Sequence, residues 1–201
     1  MKIVFPNEEG IQQSVKALEN NEVVAYPTET VYGLAVNPFS ESAIEKLFKI
    51  KGRPEDKPVL LIIGELKQLD ELVVSISDNA QICINEFWPG PLSLLLPCNS
   101  KISQKLTGKE GKICVRWTSH PIAQKLSLKF GHAITSTSAN RTSEPPATSV
   151  SELSIEGISI AIESKLPTRS EVSTIFDPDT REIIREGIIK RKKLEEILEK
   201  N

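Results

Sequence analysis

One carboxylate, two threonines and two tyrosines crowd the stretch Tyr26-Pro27-Thr28-Glu29-Thr30-Val31-Tyr32, and Gly33-Leu34 follow. Short hydroxyls beside aromatic rings give a small polar ligand fixed hydrogen-bond partners and a rigid wall. The apolar run before them, Val23-Val24-Ala25, reads as a short buried strand. Pro27 lacks an amide donor, so regular pairing should stop there. Gly33 permits either a turn or a close backbone approach. The same pattern also suits a plain strand end whose threonines satisfy nearby backbone groups.

Two further groups have the same polar character. Lys49-Ile50-Lys51-Gly52-Arg53-Pro54, with Lys57 beyond, crowds cations at a helix end and the loop after it. Such charges favour a helix C-terminus, and they also suit an anion, Lys as a point charge and Arg as a planar fork. Thr135-Ser136-Thr137-Ser138-Ala139-Asn140 places hydroxyls and an amide directly after an apolar segment. That run is either a turn capping its own backbone or a rim of donors and acceptors at the carboxyl ends of strands. The chain has no Walker A lysine motif and no G-x-G-x-x-G, so a nucleotide would be held in another way. No Ser-His-Asp set stands out, and His120, before Pro121, reads as a helix N-cap rather than a base. Cys83, Cys98 and Cys114 read as reduced core residues, and neither His120 nor His132 has metal-ligand spacing, so no metal site is expected.

These groups need a scaffold. The 201 residues are 39% hydrophobic and 26% charged, which fits one ordinary globular domain spanning 1–201. No apolar run spans a bilayer and the start is broken early by Pro6, so a cytoplasmic protein is expected. A formal net charge of −2 argues against bulk nucleic-acid binding but allows a local basic groove. Helical spacing predicts helices over 10–21, after Ser40 up to Gly52, around 66–73, after Ser77 up to Phe87, from Pro121 to Gly131, and over 190–201 with Leu194, Ile197 and Leu198 on one face. Strands are expected at 23–25, 59–63, 92–96, 113–117, 133–136 and 158–162. A hairpin is expected from 172–176 and 182–185 around Asp177-Pro178-Asp179-Thr180. The alternation predicts an α/β or α+β domain with a twisted mixed β-sheet and flanking helices.

Several ordered motifs carry a resemblance. They are Pro-Thr-Glu-Thr-Val-Tyr-Gly-Leu at 27–34, Lys-Gly-Arg-Pro at 51–54, Trp-Pro-Gly-Pro at 88–91 and Val-Arg at 115–116. His-Pro at 120–121, Ser-Thr-Ser-Ala-Asn at 136–140, Ser-Thr-Ile-Phe-Asp at 173–177 and Arg-Glu-Gly at 185–187 follow. Together they resemble the YrdC-like family, the threonylcarbamoyl-AMP synthases of tRNA modification, from about Val23 to Gly187. The resemblance implies a YrdC-like fold lining a deep basic cavity. It implies a nucleotidyltransferase that converts L-threonine, bicarbonate and ATP, with phosphate-bound Mg²⁺ and no permanent cofactor, into L-threonylcarbamoyl-adenylate and pyrophosphate. Other proteins then pass the threonylcarbamoyl group to adenosine 37 of tRNA, and RNA binding by the cavity itself is a further implied property.

Carried onto this chain, Lys51 and Arg53 face the phosphates as the catalytic cations, with Ser138, Asn140 and Arg185 on the nucleotide. Thr28, Tyr32, Arg116, Ser136 and Ser173 surround the threonine and its carbamate. Two departures stand out. Arg141-Thr142-Ser143-Glu144 follow Asn140 where relatives often continue with Ser-Gly, and Leu61-Ile62-Ile63 replace a histidine that many carry. Two other readings stay open: an RNA-binding or ribosome-maturation factor without threonine activation, and a different nucleotidyl-transfer enzyme with another amino acid or carbamoyl donor.

Overall fold

The computed structural model describes residues 1–52, 58–107, 111–141, 144–165 and 171–200. Its strands form two sheets where the sequence predicts one. The first sheet contains β1 (Lys2–Val4), β2 (Val23–Tyr26), β3 (Gly33–Ala35), β8 (Thr137–Ser138) and β9 (Ile158–Ile162), in the order β1-β9-β2-β3-β8. The second contains β4 (Leu60–Ile63), β5 (Leu92–Pro97), β6 (Lys112–Trp117), β7 (Ile134–Thr135), β10 (Thr174–Asp177) and β11 (Glu182–Arg185), in the order β11-β10-β5-β6-β4-β7. Both mix parallel and antiparallel pairs: β2 is parallel to β9 and antiparallel to β3, and β6 is parallel to β4 and antiparallel to β5.

The expected strand over 133–136 is where the two-sheet arrangement arises. It forms only as β7 on the second sheet, and the chain then crosses at Ser136 into β8 of the first sheet, which lies beyond the expected strand. Thr135 makes the crossing possible. It pairs with Leu61 in the second sheet, yet its hydroxyl accepts from Val36 N at 2.9 Å and donates to Leu34 O at 3.1 Å in the first. The predicted hairpin forms as β10–β11, with a bulge between Ile175 and Phe176.

The helices α1 (Glu8–Glu19), α2 (Glu41–Lys51), α3 (Asp78–Phe87), α4 (Pro121–Phe130) and α5 (Arg191–Leu198) follow the expected spacing. Asn7 Oδ1 accepts from Gly10 N at 2.8 Å and caps α1, a contact worth about 1 kcal/mol. At the end of α2, Gly52 takes the left-handed conformation at φ 58°, which stops the helix with Lys51 in its last turn. Between the sheets, Val24, Tyr26 and Ala35 meet Ile62 and Ile134, and α1 and α4 close that core with Ile11, Leu18 and Leu126. A second core lies on the opposite face of the second sheet against α3 and α5, and a third lies on the outer face of the first sheet against α2. Among the described residues no helix is long and apolar enough to cross a membrane.

Candidate active site

The Thr/Tyr stretch is the link from β2 to β3. Thr28 is buried, and its Oγ1 accepts from Thr30 N at 3.1 Å and Val31 N at 3.2 Å while donating to Val31 O at 2.7 Å. The hydroxyl expected to face a ligand therefore holds its own turn together. Its one proton goes to Val31 O, so Thr30 Oγ1, 2.9 Å away, donates to it and turns its lone pairs outward. Those lone pairs accept from Arg116 Nη1 at 3.5 Å. Thr30, rather than Thr28, is the threonine at the guanidinium. Tyr32 also turns away: its ring packs with Leu34, Ala139 and Ala147 on the outer face of the first sheet. Its hydroxyl donates to Ile162 O at 3.1 Å, and burial pushes its pKa up to about 12.

Gly33 serves the close approach and not a turn. It lies within β3, and a Cβ there would come 2.9 Å from Ser136 Oγ and 3.3 Å from Tyr26 Cε1. Tyr26, fully buried, donates to Thr135 O at 3.1 Å, and burial raises its pKa while the nearby Arg116 charge opposes the rise. Ser136 thus packs against Gly33 and Tyr26 at the crossing point, and Tyr26 lies close enough to feel the Arg116 charge.

Arg116 sits near the end of β6, on the face turned toward the first sheet, with 2% of its side chain exposed. Its Nε stands 3.6 Å from Glu29 Oε1, just beyond hydrogen-bond length. Thr118 Oγ1 donates to the other oxygen, Glu29 Oε2, at 2.5 Å. His120 follows at the N-cap position of α4, but its side chain makes no capping hydrogen bond, so the expected capping role is not what the structure shows. The ring is buried and neither nitrogen has a hydrogen-bond partner. Burial holds its pKa below the usual histidine value, and the Glu29 charge pulls the other way.

The Trp-Pro-Gly-Pro segment sets the neighbouring strands. Gly90 N donates to Trp117 O at 2.9 Å, Trp88 Nε1 to Leu92 O at 2.6 Å, and Thr174 N to Pro91 O at 3.1 Å. Ser93 then precedes the Leu94–Val115 pair while Arg116 follows it, so the two sit side by side. Ser93 Oγ lies 3.0 Å from Ser173 Oγ. Arg185 clasps Ser173, donating from Nε and Nη2 to its carbonyl at 3.1 and 2.9 Å and from Nη2 to its hydroxyl at 3.1 Å. Arg185 and Ser173, expected on different substrates, are direct partners. Gly187 keeps this segment close: a Cβ there would lie 2.2 Å from Val172 O.

The third group joins Lys51 to the crossing strand. Lys51 is buried, and Nζ donates to Ser138 O at 2.6 Å, Asn140 O at 2.5 Å and Asn140 Oδ1 at 3.3 Å. The Asn140 amide also donates to Glu144 O. Lys51, Ser138 and Asn140 are thus direct neighbours, with the ammonium bound to carbonyl oxygens. Arg53 lies outside the described residues, as do Thr142 and Ser143 of the loop after Asn140. Among the described residues no group of three or more His, Cys, Asp or Glu could hold a metal ion.

Among the described residues these groups include the cations Lys51, Arg116 and Arg185 and the carboxylate of Glu29, among neutral hydroxyls. Such a site favours an anion and can also hold a zwitterion. Glu29, Thr118, Ser93 and His120 were not singled out as ligand groups from the sequence. For Thr118 and His120 the signal is spacing: Arg116-Trp117-Thr118-Ser119-His120 puts a cation, a hydroxyl and an imidazole at one strand end.

Residues 16–187 match a family model named Sua5/yciO/yrdC and described as "Telomere recombination". The chain belongs to the Sua5/YciO/YrdC family. A threonylcarbamoyl-AMP synthase of Photobacterium profundum is 39% identical over 184 residues, covering 89% of this chain and 100% of that protein. The synthase of Vibrio vulnificus is 37% identical over 182 residues, covering 88% of this chain and 98% of that one. P. abyssi Sua5, solved in complex with L-threonine, superposes with a TM-score of 0.91 at 31% identity over 98% of this chain. This chain spans 61% of the length of that archaeal protein. Every polar group described above, from Tyr26 to Arg185, lies inside the matched Sua5/YciO/YrdC segment.

Proposed function

We infer that this protein is an L-threonylcarbamoyladenylate synthase, acting as a single YrdC-like domain over 1–201. The observation that carries the reading is Arg116: a nearly sealed guanidinium with Thr30 and Glu29 beside it and an unpartnered Nε, in a Sua5/YciO/YrdC chain. A buried guanidinium with spare donor capacity is costly unless a ligand completes it. The relative from P. abyssi binds L-threonine, and the carboxylate of that amino acid is the ligand we assign to Arg116.

The reaction needs positioning and charge neutralisation. Threonine and bicarbonate give an N-carbamate, and a carbamate oxygen attacks the α-phosphorus of ATP and expels pyrophosphate. Arg116, Ser136 and Thr30 orient the threonine end. Ser173, held by Ser93 and Arg185, stands on the adjoining strands. Arg53, Lys51 and Arg185 supply positive charge on the nucleotide side, where hydrogen bonds to charged groups contribute about 1.5–3 kcal/mol each. Mg²⁺ held by the ATP phosphates would add further charge neutralisation to that of these side chains. No covalent enzyme intermediate is needed, since holding the reactants in line supplies much of the rate. The product then passes, in the cytoplasm, to proteins that modify adenosine 37 of tRNA.

The test is pyrophosphate release with threonine, bicarbonate and ATP each omitted in turn. All three should be required, and an AMP adduct of threonylcarbamate should appear with the pyrophosphate. Salt-sensitive RNA binding with no ATP turnover would favour the RNA-binding reading instead, and adenylate formation with a substrate other than threonine would favour a different nucleotidyl-transfer enzyme.

A further inference from the structure

Glu29 has no role in the mechanism just given, and its surroundings are unusual. Buried polar side chains are nearly always hydrogen-bonded. Here Glu29 Oε1, Arg116 Nε and both ring nitrogens of His120 have no hydrogen-bond partner; Oε1 and Nε face each other as an ion pair at 3.6 Å, and His120 feels the Glu29 charge. Glu29 comes from the link after β2, Arg116 from β6 and His120 from the start of α4. The carboxylate is held in place, because Thr118 fixes Oε2 and leaves Oε1 pointing past Arg116 Nε at 3.6 Å. Around it stand Arg116, His120 and Tyr26. Burial disfavours the imidazolium and the phenolate, so Arg116 is the charge beside Glu29.

A carboxylate and a guanidinium side by side, each with hydrogen-bonding capacity unfilled, are the complement of an α-amino acid zwitterion. The guanidinium takes the carboxylate and Glu29 takes the ammonium. We propose that Glu29 binds the α-ammonium group of threonine and receives the proton released when that nitrogen becomes a carbamate. The balance requires such an acceptor. R–NH3⁺ and HCO3⁻ give R–NH–COO⁻, water and one proton. The N–C bond forms, a C–O bond of bicarbonate breaks, the departing hydroxyl leaves as water with one nitrogen proton, and the other proton passes to Glu29. The inference rests on the threonine-activating reading of this site, and it adds the group that recognises and deprotonates the amine.

The test is Glu29→Gln, which keeps the shape and the Thr118 contact but removes the charge and the basicity, beside Glu29→Asp, which restores a carboxylate. Threonine binding is measured by calorimetry and turnover by pyrophosphate release, with binding of a non-hydrolysable ATP analogue as the folding control. Glu29→Gln should bind threonine about tenfold to a hundredfold more weakly. Its kcat should fall about a hundredfold or more, with Glu29→Asp recovering part of it. Analogue binding should match the wild type. Weaker threonine binding with an unchanged kcat would overturn the proton transfer. Unchanged binding and unchanged kcat would overturn the assignment altogether. If the wild-type protein released no pyrophosphate, the threonine-activating reading would fall, while calorimetry would still decide whether Glu29 holds an ammonium group.

Discussion

Replacing Lys51 with methionine separates two roles for this cation. Methionine keeps the aliphatic stem, so packing at the end of α2 changes little. What is lost is an ammonium group bound at 2.6 Å to Ser138 O and 2.5 Å to Asn140 O. Two carbonyls in a largely buried segment then lose a charged donor. Each unsatisfied group costs about 1–3 kcal/mol, and water entering at the half-buried Ser138 offsets part of it, which leaves a net loss of about 2–4 kcal/mol. For a chain of this size the melting temperature should fall by about 5–15 °C in the absence of any ligand. The assay is calorimetric or fluorescence melting of the ligand-free protein, paired with titration of an ATP analogue. If Lys51 acted only on phosphates, the ligand-free melting temperature would stay within a degree or two while analogue binding weakened. That result would refute the role of Lys51 as the tie that shapes the Ser138–Asn140 segment.

Arg116→Lys should leave the fold intact but weaken threonine binding about tenfold or more, because an ammonium group cannot reach Thr30 and Glu29 together as the planar fork does; calorimetry showing unchanged affinity would move the threonine carboxylate elsewhere. Gly187→Ala would place a Cβ 2.2 Å from Val172 O and 2.7 Å from Ser173 C, so the Ser173–Arg185 clasp should shift, stability should fall by about 1–3 kcal/mol in urea unfolding and turnover should fall with it. An unchanged urea midpoint would mean that the segment is not confined there.

Local chemistry was legible in the sequence wherever one element decides it. Ser40, Gly52, Ser77, Pro121 and Gly131 mark helix ends through their own caps and backbone preferences, and the structure uses each at that place. The apolar stripe of Leu194, Ile197 and Leu198 is buried as its spacing implies. What stayed hidden depends on pairing between distant segments. β3 has only three residues behind a polar turn and is a strand because β2 and β8 flank it. β1 pairs with β9, more than a hundred and fifty residues away. Thr28 and Thr30 look equivalent in sequence, and only the register of the turn decides which one meets Arg116. His120 has the position of an N-cap without its hydrogen bond, because the ring is turned into the interior beside Glu29.

The crossing of the chain from β7 of one sheet to β8 of the other explains why hydroxyls gather where they do. A strand that leaves one sheet and joins another breaks its ladder at the crossing, and the backbone groups freed there need partners. Thr135 meets that need from both backbone and side chain: its amide donates to Val36 O at 3.3 Å, its carbonyl accepts from Tyr26 Oη at 3.1 Å and its hydroxyl bonds Leu34 and Val36, while in register it stands opposite Leu61 of the second sheet. Ser136 follows with its amide on Leu60 O at 2.7 Å, which leaves its hydroxyl pressed toward Gly33 and Tyr26. Lys51 then takes the carbonyls of Ser138 and Asn140 from the far side. The hydroxyl run is therefore both the solution to a backbone problem and the wall of the site. Of the two readings that the sequence left open for it, Thr135 fits the turn that closes its own backbone, and the Ser136 hydroxyl packs against Gly33 and Tyr26.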